Sequence, residues 1–185
     1  MSQGGNLDIS AIVISVLALL FTTFSFWWMN WRRGKLKLSD VRTYAAVSSD
    51  NSLIIQLPIV FFNSGAMPVL VNNLRLTFPD QGKEHTALFF NNTVEKLASD
   101  QGTSMATPFP VHGGEALLKI CGFHRSRAGF DFEVGEYHLN IEGRLDQKLD
   151  WTVLKSFTLK VRESQVKNLN SVFIAQDNEP QLSQC

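Results

Sequence analysis

Few residues in this chain have the types and spacing that chemistry needs. The segment "CGFHR" sets Cys121 three residues before His124, and His112 stands nine residues ahead of Cys121. Thiolate and imidazole are zinc-ligand types, but a zinc site takes three or four converging ligands, commonly on two paired arms. No second Cys-x-x-Cys or His-x-x-x-His arm follows, and the other cysteine, Cys185, is the last residue of the sequence. Cys121 with a histidine base would suit nucleophilic catalysis, yet such a pair is defined by a hydrogen bond in space, which spacing does not supply. "HGGEA" lacks the lysine of a phosphate-cradling loop and opens no helix. The expectation is therefore no catalytic, cofactor-binding or metal-ligating residue. One loop stands out: "FHRSRAGFDFEVGE" sets Arg125 and Arg127 among Phe123, Phe130 and Phe132. Arginine with aromatics is the composition of interface hot spots, which makes Phe123, Arg125, Arg127 and Phe130 a candidate interaction loop. The rival reading, local packing of the phenylalanines, carries the greater weight.

Any such loop needs a scaffold, and the composition says where that scaffold lives. The 17 basic and 17 acidic residues balance, which argues against a general nucleic-acid binder, since those carry a basic excess. Two cysteines make no disulfide framework and suit a reducing compartment. The charges are unevenly placed, with none between Ile9 and Met29.

Those 21 residues would span about 32 Å as a helix, matching a hydrocarbon core of about 30 Å. Eleven are Ile, Leu, Val or Phe, which together favour insertion by roughly 3 to 7 kcal/mol. The five Ser and Thr residues weaken this, although hydroxyls in a helix can bond back to the backbone. Trp27, Trp28 and Trp31 follow where the chain would leave lipid, as an interfacial aromatic belt does. Arg32, Arg33, Lys35 and Lys37 come next, whereas "MSQGGNLD" before the span has no Lys or Arg. The positive-inside rule then puts the N-terminus outside and the rest in the cytoplasm. A cleavable signal peptide would have the basic residues first and a small-residue cleavage site. In that orientation the formal glycosylation acceptor Asn91-Asn92-Thr93 never meets the glycosylation machinery.

Beyond Leu36 the apolar period becomes two, the signature of half-buried strands. "YHLNIEGRL" alternates Tyr137, Leu139, Ile141 and Leu145 with polar residues. "LIIQLPIVFF" puts Leu53, Ile55, Leu57, Ile59 and Phe61 on one face. "VLVNNLRLTF" aligns Leu70, Leu74, Leu76 and Phe78, with Asn72 out of pattern, and "WTVLKSFTLKV" aligns Trp151, Val153, Phe157, Leu159 and Val161, with Lys155 intruding. Shorter strands are expected near residues 35–44, 86–91 and 115–123. About seven strands separated by "SSDNS", "NSGAMP", "PDQGK" and "HGG", without a long amphipathic helix among them, indicate an all-β sandwich or small barrel. Pro58 favours the sandwich, with its strand at an edge or a bulge.

Two motifs carry a resemblance. "NSGAMP" joins two strong strands through Asn63-Ser64-Gly65 and Pro68, with Gly65 free to take positive φ. "GEYHL" sets Tyr137 at the start of a late strand. Residues 35–161 thus resemble immunoglobulin-like sandwiches of the ASH and fibronectin-like kinds, in which such a tyrosine forms a corner. The paired strand cysteines of antibody domains are missing; Leu139 stands where the second would fall. The resemblance implies an antiparallel immunoglobulin-like sandwich and no functional residues. The expected organisation is a flank (1–8), a transmembrane helix (9–29), a basic juxtamembrane segment (30–34), the sandwich (35–161) and a polar, flexible tail (162–185). The expected partners are the bilayer and a protein of unidentified kind, met at the cytoplasmic face. An envelope or adhesion module in the inverted orientation and a membrane-associated enzyme are the alternatives.

Overall fold

A computed structural model describes residues 9–31, 34–49, 52–80, 87–99, 101–126 and 129–178, with Trp31 described for its backbone alone. The first element is a single helix, α1 (Ile9–Trp31). Its hydroxyl groups do bond back: Ser15 Oγ donates to Ala11 O at 2.8 Å, Thr22 Oγ1 to Ala18 O at 2.8 Å and Thr23 Oγ1 to Leu19 O at 2.8 Å. This satisfies these three hydroxyls within the helix itself, as a helix in lipid would require. No part of it is buried against the rest of the chain, and it is long and apolar enough to cross a membrane.

The remainder is mostly antiparallel β-sheet. In chain order the strands are β1 (Leu36–Leu38), β2 (Thr43–Ser49), β3 (Ser52–Asn63), β4 (Val69–Thr77), β5 (Ala87–Val94), β6 (Ser104–Met105), β7 (Phe109–Val111), β8 (Ala116–Ser126), β9 (Gly135–Leu145) and β10 (Thr152–Val161), followed by helix α2 (Glu163–Leu169) and β11 (Ile174–Asp177). Hydrogen bonding runs β10-β9-β4-β5-β8-β3-β2-β11, with β1 on β3, β6 on β5 and β7 on β4. β5 makes the sheet curl. Its first residues, Ala87 to Phe89, pair with β4 (Leu88 with Leu76), while from Phe89 onward it pairs with β8, through an irregularity at Asn91. The two ends of the strand order are then stitched together by Asn178. Its Nδ2 donates to Val41 O and to Thr158 O, each at 3.0 Å, and its Oδ1 accepts from Lys160 N at 3.1 Å. The curl wraps one apolar core, which includes Tyr44, Ile55, Leu57, Phe61, Leu74, Leu76, Leu88, Phe123, Leu139 and Ile141.

The alternation read from β3 and β9 is met: Leu53, Ile55, Leu57, Ile59 and Phe61 are all buried, as are Leu139 and Ile141. Two strands depart from their pattern for one reason. In β4 the register with β9 shifts between Val71 and Asn73, so Asn72 is an extra residue. An extra residue inverts the parity of a strand. Val71 is therefore the buried residue (1% exposed) and Leu70 is 39% exposed, the reverse of the expected face. In β10 the shift falls between Val153 and Lys155; Leu154 packs on the core instead of Val153, which is 51% exposed. Trp151, ahead of this irregularity, stacks under the guanidinium groups of Arg75 (4.4 Å) and Arg144 (4.5 Å) rather than joining the core.

Pro58 does not mark an edge. β3 is interior, paired with β8 along its length, and Pro58 sits opposite Ile120. On its other side β2 pairs only as far as Gln56, and β1 begins at Phe61. Val60 O accepts from Ser39 N and Val60 N donates to Ser39 Oγ on that side, so Pro58, of the same parity, turns its missing donor into the gap between β2 and β1. A central strand thus accommodates proline where no partner strand asks for its N–H.

The polar segment after Val161, expected to be flexible, folds back onto the domain as far as Asn178. α2 buries Leu169 fully, and Arg162 N donates to Gln165 Oε1 at 2.9 Å as the helix begins. β11 then adds to β2, pairing Ile174 with Ala46 and Asp177 with Thr43. Residues 179–185 lie outside the described residues.

Candidate functional site

The chemistry-bearing residues do not converge. Cys121 is fully buried in β8, and burial pushes its thiol pKa up to about 12, leaving it protonated and inert. His124 is three residues along the same strand, an odd spacing that puts it on the opposite face. His112 lies in the turn before β8, at the strand's other end. Among the described residues no three His, Cys, Asp or Glu side chains are placed to hold a metal ion. Tyr44 is a second buried acid, its pKa raised to about 12 by desolvation.

The loop of arginines and phenylalanines is a plug closing one end of the curled sheet. Phe123 is fully buried in β8, Phe130 is 8% exposed and Phe132 1%. Phe78, Phe130, Phe132 and Tyr137 form a cluster with ring centroids 5.0–6.4 Å apart, edge-to-face except for the tilted pair Phe78 and Phe130. Three elements stitch the loop backbone. Ser48 Oγ donates to Phe130 O. Asn170, capping α2, accepts from Phe132 N and donates to Phe132 O, each at 2.9 Å. Tyr137 Oη accepts from Glu133 N at 2.7 Å and donates to Glu133 O at 3.1 Å. Neither Phe123 nor Phe130 is therefore open to a partner. Arg125 is half-buried on the outer end of β8, and Arg127 lies outside the described residues.

At the opposite end sits the set of residues expected at a membrane boundary. Trp27 and Trp28 are each about half exposed and cluster with Phe24, ring centroids 6.0–6.5 Å apart. Arg32 and Arg33 fall outside the described residues, while Lys35 and Lys37 are exposed. The chain leaving α1 is fastened at once to the turn after β3. Lys35 N donates to Ser64 Oγ at 3.0 Å, and Ser64 N donates to Lys35 O at 3.2 Å. That turn is built by Asn63, fully buried, whose Oδ1 accepts from Gly65 N at 2.9 Å and whose Nδ2 donates to Met67 O at 2.7 Å and Val111 O at 3.0 Å. Gly65 does not use the positive φ expected of it. Close approach is the constraint here: a Cβ on Gly34 would come within 1.8 Å of Gly65 N. Sequence reasoning missed this junction, because its signal is a pair of glycines 31 residues apart in the chain.

No protein-family model matches this chain, and no curated protein does. Among solved structures, the crystal structure of a protein from Archaeoglobus fulgidus is similar over 68% of this chain and 98% of that chain, at 12% identity and a TM-score of 0.41.

Proposed function

We propose that this is a single-pass membrane protein whose β-domain, an immunoglobulin-like sandwich, binds a protein partner at the cytoplasmic face. One observation carries the reading: α1 is a 23-residue apolar helix that the rest of the chain leaves wholly uncovered. A soluble protein does not leave such a surface in water, whereas a bilayer covers it. The orientation rests on Arg32, Arg33, Lys35 and Lys37 following the span, with no basic residue before it. The sandwich reading is supported by strand order. β2-β3-β8-β5 and β10-β9-β4 correspond in sequence order to the A-B-E-D and G-F-C sheets of constant-type immunoglobulin domains. The Tyr137 hydroxyl, bonded to Glu133 four residues upstream, corresponds to the tyrosine corner. The joining of β4 to β5 and the additions of α2 and β11 are this chain's departures. A binding role is favoured over a catalytic one by the inert setting of Cys121. With the phenylalanines of the plug buried, exposed apolar surface near Arg125 falls to Phe89, which is 53% exposed and pairs with His124.

The test has two parts. Chain beginning at Gly34 should be soluble, while the full chain should resist extraction by alkaline carbonate. A reporter active only outside the cytoplasm, fused after Asn178, should be silent. Strong reporter activity would establish the inverted orientation and move the partner outside the cell. Chain lacking α1 that still pelleted with membranes after a high-salt wash would show that the helix is not the only membrane determinant.

A further inference from the structure

Three turns meet at the end of the β-domain where the chain arrives from α1. Residues 64–68 lead β3 into β4, residues 112–115 lead β7 into β8, and residues 146–151 lead β9 into β10. They touch one another: a Cβ on Gly113 would come within 2.1 Å of Ala66 O. Asp146 N donates to Leu70 O at 2.8 Å, and Leu70 N donates to Asp146 Oδ1 at 3.0 Å. This end displays apolar side chains that nothing in the domain covers. Leu149 is 80% exposed, Leu70 39% and Met67 38%. The turn carrying Leu149 is firmly held. Asp146 has a left-handed φ of 54°, stabilised by the two bonds to Leu70, by Asn72 Nδ2 donating to Asp146 O, and by Lys148 N donating to Leu145 O at 3.1 Å. A leucine fixed at a turn tip in water is a cost with no return inside the domain.

The length of the tether says what covers it. α1, 23 residues long, spans about 34 Å, so its last residue stands near the edge of a hydrocarbon core of about 30 Å. From Trp31 to Gly34 the chain reaches at most about 11 Å, and a headgroup layer is itself about 5–8 Å deep. Gly34 packs on Gly65, so the three turns are held against the headgroups or less than about 10 Å beyond them. On the turns and β1, Lys35, Lys37 and Lys148 are offset by Glu115, Asp146 and Asp150, while Arg32 and Arg33 in the tether add two positive charges. The insertion of the turns themselves is apolar, and a neutral lipid tests it without those arginines carrying the contact.

We propose that this end of the β-domain docks on the bilayer surface, with Met67, Leu70 and Leu149 inserted at headgroup depth, fixing the domain's orientation on the membrane. The inference rests on the anchoring part of the proposed function and holds for either orientation of the span.

The experiment uses the full chain in phosphatidylcholine vesicles, with Cys185→Ser and one spin label at a time at Leu149→Cys, Met67→Cys, Val134→Cys or Phe26→Cys. Cys121 is fully buried and stays unlabelled. Val134 is 63% exposed and precedes β9, whose length puts it about 34 Å from the docking end. Labels at positions 149 and 67 should collide severalfold more with oxygen and less with a water-soluble nickel chelate than the label at 134. If they behave like the label at 134 while Phe26→Cys reports lipid, docking is overturned and the anchor stands. If Phe26→Cys also reports water, the anchor reading falls and the inference with it. Protection of 149 and 67 from both reagents would mean that protein covers the turns, and would equally overturn the proposal.

Discussion

Replacing Tyr137 tests the strand register and the corner geometry together. Its hydroxyl makes two bonds to the backbone of Glu133, at 2.7 and 3.1 Å, and its ring packs on Phe78, Phe130 and Phe132 at centroid distances of 5.8–6.4 Å. Tyr137→Phe keeps the ring and removes both bonds. Because Glu133 is exposed, water can replace the lost partner, and the expected cost is the net value of a hydrogen bond, about 1 kcal/mol. Tyr137→Ala also removes one ring of a four-ring cluster. The tyrosine is partly rather than fully buried, so the cost falls toward the lower part of the range for aromatic truncation, about 3 kcal/mol. His138→Ala, one residue along on the outer face, loses an exposed bond to Thr158 Oγ1 at 3.0 Å and an exposed contact with Asp80 at 4.0 Å, and should cost under about 0.5 kcal/mol. Urea unfolding of the chain beginning at Gly34 reads all three. With a slope of about 2 kcal/mol per molar, the midpoints should drop by about 0.5 M for Tyr137→Phe and about 1.5 M for Tyr137→Ala. Equal, small shifts for Tyr137→Ala and His138→Ala would refute the corner and the register of β9 with it.

Leu169→Ala in α2 should destabilise the domain by about 2–5 kcal/mol, because Leu169 is fully buried in the common core; a loss under about 0.5 kcal/mol in the same urea assay would mean that α2 is dispensable. Alkali should weaken the fold. Folded Cys121 and Tyr44 hold their protons to about pH 12, against ordinary values of 9.0 and 10.0. The unfolded chain therefore releases those protons first, and stability should fall as pH rises from about 9 toward 12. Urea midpoints that stay level to pH 11, or rapid alkylation of Cys121 in the folded domain at pH 9, would contradict the burial of these groups.

What could be read from one dimension was whatever depends on a segment's own composition and period. An uncharged run of 21 residues is long and apolar enough to cross a membrane by its own composition, and α1 is that helix. The alternation of β3 and β9 needs only a partner on each side to become a buried face. The Tyr137 hydroxyl finds Glu133 four residues away, within reach of a local pattern. Three outcomes required the assembled sheet. The parity of β4 and β10 inverts at Asn72 and Leu154 because a bulge is a relation between two strands, and the alternation of one strand carries no record of the other. Phe123 and Phe130 are core rather than contact surface because Ser48, Asn170 and Tyr137, all distant from one another in the chain, pull the loop inward. The segment after Val161 looks too polar to fold because its anchors are few, chiefly Leu169, Asn170 and Asn178. Each stabilises only against a surface that exists once the sheet has curled and brought β2 and β10 to the same side.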